Sequence, residues 1–152
     1  MASAGLLIAG IAGAVLLIVA DFTTLFEVKA VTAVLESRTG GDHHTYALVL
    51  IGLLALPMAA GASLGGSRPA AIALTVLGLI ALVIVLAGDL PDVHSTGLDR
   101  NFERAEASPK IGFYLETLGV ALVLVAGVGN LLFTRPAPPP PRSRRPRPPR
   151  EP

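Results

Sequence analysis

Four stretches of about twenty residues in this chain carry almost no charge, and a segment that long and that apolar has few places to go. They cover residues 4–22, 46–64, 70–88 and 112–133. An α-helix rises about 1.5 Å per residue, so each run can cross roughly 30 Å of hydrocarbon. The first two contain no Lys, Arg or Glu, and Asp21 stands at the end of the first. Thr75 is the polar side chain of the third, and the fourth holds Glu116, Thr117 and Asn130. Hydrocarbon offers nothing to an unpaired N–H or C=O, and no alternation at period two argues for a membrane barrel, so helices are expected. The expected fold is an all-α, four-helix transmembrane bundle. Composition agrees: 52% hydrophobic residues, 15% charged and a mean hydropathy of +0.65 lie outside the usual range of a soluble domain.

Orientation follows from the cations, because Lys and Arg near span ends resist translocation. Arg68 lies between the second and third runs, and Arg135, Arg142, Arg144, Arg145, Arg147 and Arg150 follow the fourth. An even number of crossings puts all of them on one side, which predicts both termini in the cytoplasm. The two longer loops then lie outside, with Lys29, Arg38, Arg100, Arg104 and Lys110 set among Glu27, Glu36, Asp42, Asp89, Asp92, Asp99, Glu103 and Glu106. No Lys or Arg precedes Lys29, and the first apolar run exceeds the usual core of a secretory signal. It is therefore expected to stay as a span.

Outside the spans, the first loop opens with an apolar, β-branched run from Leu25 to Leu35, expected as a helical or interfacial segment, with a strand as the alternative. Residues 36–42 are expected to turn the chain back to the membrane. In the second loop, a short helix ended by Pro109 is expected. Together the loops are too small for an independent domain with its own core. Residues 134–152 hold nine Pro and six Arg and are expected to form a disordered, largely polyproline cytoplasmic tail. Its Arg142, Arg144, Arg145 and Arg147 suit contact with anionic lipid headgroups, at about 1 kcal/mol each near the surface.

Chemistry-bearing residues are few. With no Cys, disulfides, thiolate metal sites and Cys nucleophiles are excluded. There is no phosphate-cradling Gly loop, no nucleophile elbow and no HExxH, so the expectation is a non-enzyme without a cofactor and without a nucleic-acid partner. Glu116 lies about one turn inside the fourth span, where a carboxylate is costly. It is expected to be a structural carboxylate at the outer interface, still reaching water, with Lys110 or Arg104 as candidate partners; a proton or cation site is the alternative. Thr117 is its polar neighbour. All three His fall on the outer side, so His43, His44, Asp89, Asp92 and His94, with Asp21 and Asp42 near them, form a weak candidate metal set whose spacing matches no ligand motif. Gly5, Ala9 and Gly13 recur every fourth position and suit close helix packing. Pro57 is expected to bend the second span.

The segment Gly112-Phe113-Tyr114-Leu115-Glu116-Thr117-Leu118-Gly119, after a loop beginning Gly88-Asp89-Leu90-Pro91-Asp92, resembles the opening of the last helix in small four-helix membrane proteins common in high-GC bacteria. That resemblance implies the same four-span plan, no assigned activity and no site residues. The functional expectation is an interaction or assembly component of the bacterial inner membrane, in contact with the lipid bilayer and with a second copy or another membrane protein. Two alternatives stand beside it. One is an oligomeric channel or small-solute transporter with Glu116 lining a shared path; the other is an outer-face metal or pH sensor built on His43, His44 and His94.

Overall fold

The computed structural model describes residues 2–30, 33–92, 96–98 and 104–133. Helix α1 (Ala2–Asp21) leads into strands β1 (Thr24–Ala30) and β2 (Ala33–Thr39). A one-turn helix α2 (Gly40–His44) then precedes α3 (Ala47–Ser63) and α4 (Arg68–Ile84). A π-helical turn (Val85–Asp89) continues α4 into the short α5 (Leu90–Asp92), and β3 (Thr96–Leu98), β4 (Arg104–Pro109) and α6 (Ile111–Phe133) complete the order. The arginine tail lies outside the described residues.

Among the described residues, three helical segments are long and apolar enough to cross a membrane: Ser3–Asp21, Arg68–Asp89 and Ile111–Phe133. Helix α3 is apolar but has 17 residues, about 25 Å of rise. Around the bundle, α1 packs on α3 and α6, and α4 packs on α3 and α6. Ser67 caps α4, its hydroxyl accepting from Ala70 N, and Pro69 follows in the first turn, where its missing N–H costs nothing.

The helices are built inside out relative to a soluble bundle. Ile8 is 68% exposed, Leu50 62%, Val83 62% and Leu132 73%. The interior instead holds small residues, among them Ala14, Ala55, Ala59, Ala81 and Ala126. A methyl group on Gly13 would sit 2.8 Å from the Gly119 carbonyl oxygen, and one on Gly127 would sit 2.8 Å from the Thr75 backbone nitrogen. Large side chains outside and touching backbones inside are what association in lipid requires, since lipid tails remove the drive to bury Leu and Ile and leave van der Waals contact to hold helices together. These are features of a membrane protein. Asn130 adds a polar clasp, donating to Ser63 Oγ across to α3 at 3.0 Å and to Ala126 O at 2.8 Å. Of the small-residue stripe, Gly13 meets α6 and Ala9 packs against the core, while nothing among the described residues lies within 4 Å of a Cβ placed on Gly5.

The chain is not all-α. Strands from both long loops form one four-stranded antiparallel sheet in the order β2-β1-β4-β3. The expected helical or interfacial segment after Leu25 is the hairpin β1–β2, and the expected turn at 36–42 is instead the end of β2 followed by α2. The expected short helix before Pro109 is strand β4, with Val28 opposite Ala107 and Phe26 opposite Pro109. Pairing between loops far apart in sequence decides these outcomes. One local feature also obscured β1: Leu25 and Phe26 are adjacent, yet both are buried. The β1–β2 register is interrupted between Thr24 and Phe26, and such a bulge re-aims a side chain that strict alternation would turn outward. Phe113 of α6 packs against this pair, so the sheet's apolar cluster is shared with the bundle.

Two links hold the sheet to α6. Lys110 N donates to Leu25 O at 2.9 Å, and Lys110 Nζ pairs with Glu27 at 2.9 Å, where Lys29 also approaches at 3.5 Å. The Lys110 hydrogen bond holds the Glu27 carboxyl below the ordinary glutamate range, and the nearby charges of Lys110 and Lys29 act in the same direction. A carboxyl with a lowered folded value contributes stability that is complete above its unfolded value and vanishes as pH falls through the folded one. The stability difference between wild type and Lys110→Met should therefore be constant above about pH 5 and shrink below about pH 4, where glutamate protonates. Parallel unfolding curves across that range check it.

Candidate functional site

The ends of three helices meet beneath the sheet, and each brings a carboxylate. Asp21 closes α1, Asp89 closes the π turn after α4, and Glu116 lies one turn inside α6; they are 1%, 0% and 0% exposed. Asp89 and, more weakly, Asp21 act electrostatically on the Glu116 carboxyl. The expectation that Glu116 still reaches water is overturned by this burial. Of its two expected partners, Lys110 pairs with Glu27 instead, and the side chain of Arg104 lies outside the described residues.

Each carboxylate has a structural reason for its place. Asp21 Oδ2 accepts from Val49 N at 2.9 Å. Helix α3 has Tyr46 at its N-cap with no side-chain cap, and Thr45 and Tyr46 both adopt positive φ, 54° and 60°. An acid from α1 thus caps one first-turn N–H of α3 from outside the helix, and its charge suits the positive end of that helix. Gly40 makes room for it, since a Cβ there would lie 3.0 Å from Asp21 Oδ1. Asp89 falls in the buried stripe of Ala71, Leu74, Gly78, Ala81 and Val85. The π turn that carries it is a rare element, met mostly as a single turn within an α-helix and frequently at functional sites. Gly112, against the Thr24 carbonyl, lets the start of α6 sit tightly under β1 and so sets the depth of Glu116.

Chemically, Asp89 and Glu116 are both acceptors when ionised, and neither satisfies the other without a proton or cation between them. No donor among the described residues reaches either Glu116 oxygen. Among the described residues there is also no group of three or more His, Cys, Asp or Glu placed to hold a metal ion. Of the candidate metal set, Asp89 belongs to the buried cluster, while His94 and the side chains of His43, His44 and Asp92 lie outside what the structure describes. Asp42 is exposed and engaged with Thr39, whose hydroxyl donates to Asp42 Oδ2 at 2.7 Å. Thr117 is exposed, and its hydroxyl donates to Phe113 O at 2.8 Å, so it takes no part in the cluster. A recess of about 320 Å³ along α4, lined by Val76, Leu79, Ile80, Val83 and Ile84, is wholly apolar.

No family model, no curated protein and no solved structure matches this chain. The site is therefore read from its own residues.

Proposed function

We propose that the chain is a non-enzymatic protein of the bacterial cytoplasmic membrane that crosses it four times, with both termini inside, and works as an interaction or assembly component through its outer cap. The observation that carries this reading is the union of two loops into one sheet seated on the helix ends. Backbone hydrogen bonds between β1 and β4 turn two loops into a rigid surface, with β2 and β3 as its outermost strands. An edge strand presents backbone N–H and C=O groups that a partner's extended segment can pair with.

The fourth crossing is supported by how α3 is anchored. Its first turn is held by Asp21 at the outer end of α1, and its last by Asn130 near the far end of α6. Helix α3 therefore runs the length of the bundle despite its 17 residues, and local thinning or snorkelling accommodates a slightly short span. Tyr46 and Tyr114, both exposed, stand at the outer end, where aromatic side chains favour the headgroup region. The arginines at the other end and the likeness to small membrane proteins of high-GC bacteria support the inner membrane and the inside termini. The channel reading gains less, because Glu116 is enclosed within one protomer and faces its own Asp89.

A photo-crosslinking residue at Ser37, exposed in β2, tests the proposal in native membranes. Discrete adducts, to a second copy or to another protein, are expected at Ser37 and not at lipid-level Leu50. Repeated absence of any adduct, across several exposed outer positions, would remove the reading.

A further inference from the structure

Strand β2 is the longer of the two strands at the rims of the sheet, seven residues against three in β3, and its far side from β1 carries no strand among the described residues. Backbone groups along such a rim are a template for a further strand. Natural proteins often guard a rim with charge, because like charges set directly opposite each other oppose pairing. Here the charges have opposite signs and stand two positions apart. In the β1–β2 ladder Glu36 lies opposite Val28 and Arg38 opposite Phe26, with Ser37 between them. We propose that β2 pairs with β2 of a second copy, antiparallel about a two-fold axis at Ser37, so that Glu36 of each copy falls opposite Arg38 of the other. This rests on the reading of the outer cap as an interaction surface and names what that surface takes.

Charge selects the register. Centred on Glu36 or on Arg38 instead, the same two-fold pairing would set a charge directly against its own copy, which destabilises a ladder. Centred on Ser37, both charged positions are matched at once. The geometry of insertion agrees. An antiparallel rim contact has its two-fold axis perpendicular to the sheet, so the apolar side of each sheet, with Leu25 and Phe26, stays toward its own helices. Two copies inserted in one orientation meet that requirement. Ser37 and Arg38 are both exposed. Arg38 also interacts within its own chain, and a guanidinium has donors for that neighbour and for one across the rim. At Thr39, which caps α2, the strand stops and so does the new ladder.

The test uses the full chain, which has no Cys, in native membranes. With Ser37→Cys and a short bifunctional thiol crosslinker a linked dimer is expected, because residues directly opposite in an antiparallel pair have Cβ atoms about 5 Å apart. Lys29→Cys, exposed but on the central strand β1, is expected to stay monomeric. Glu36→Arg and Arg38→Glu, each combined with Ser37→Cys, should lose the dimer when expressed singly, since every facing pair then carries like charges. Expressed together with tags of different length, they should recover it as the mixed species, which also shows that both variants fold. No dimer from Ser37→Cys, equal bands from Ser37→Cys and Lys29→Cys, or a mixture that links no better than either variant alone overturns the proposal. So does a Ser37 adduct confined to a different protein, which leaves the interaction reading standing. Absence of any adduct at Ser37 and at the other exposed outer positions removes both.

Discussion

Valine in place of Gly13 should force α1 away from α6 and cost about 1–3 kcal/mol, toward the upper end of the range for overpacking a filled core. At this contact both sides are backbone. The added group would lie 2.8 Å from Gly119 O and 2.9 Å from Val123 N, atoms that cannot move unless the helix moves. Gly119 faces the reciprocal constraint, with its own Cβ position 3.0 Å from Gly13 O. Gly5 is the internal control, because nothing among the described residues lies within 4 Å of the position its Cβ would take. Valine there should change stability by no more than about 0.5 kcal/mol, the usual size for a surface substitution. Unfolding by denaturing detergent separates the two, and equal losses at both positions would mean that the α1–α6 contact does not hold the bundle.

The second large effect is expected at Asp21. Alanine there removes the acceptor for Val49 N and leaves the start of α3 uncapped, while asparagine keeps an acceptor and removes the charge next to Glu116. The loss of a cap costs about 0.5–2 kcal/mol. Asp21→Asn should therefore be more stable than Asp21→Ala by that amount and close to wild type, since relief of repulsion offsets a weaker hydrogen bond. Hydrogen exchange at the first turn of α3 should quicken in the alanine variant alone. If asparagine and alanine behave alike, Asp21 acts through its charge and not as a cap.

The helices were legible because their signal is local and long. The expected spans at 4–22, 46–64, 70–88 and 112–133 fall on α1, α3, α4 with its π turn, and α6, differing by a few residues at the ends. The sheet was hidden for the opposite reason. Its central strand owes its place to β4, whose partners lie some eighty residues away, and the bulge at Leu25 breaks the alternation that marks a strand. The cap on α3 was equally unreadable, since the capping group comes from another helix and not from the preceding residue. The carboxylate cluster is a different case. Asp21 ends the first apolar run, Asp89 follows the third and Glu116 opens the fourth, so an even-numbered topology already places all three at one end. What the sequence lacked was depth: nothing local distinguishes an acid at the water interface from one fully buried at the helix ends.

In the proposed topology the sheet and the carboxylates share one side of the membrane while the α3–α4 turn lies on the other. The chain contains no Cys, so single cysteines report without background. Ser37→Cys on β2 and Leu64→Cys after α3 are both exposed positions, and a membrane-impermeant maleimide applied to intact spheroplasts measures which is outside. Labelling of Ser37→Cys in intact spheroplasts, with Leu64→Cys reacting only after the membrane is opened, is the predicted result. Equal labelling of both from outside, or recovery of the chain in the soluble fraction without detergent, would contradict it.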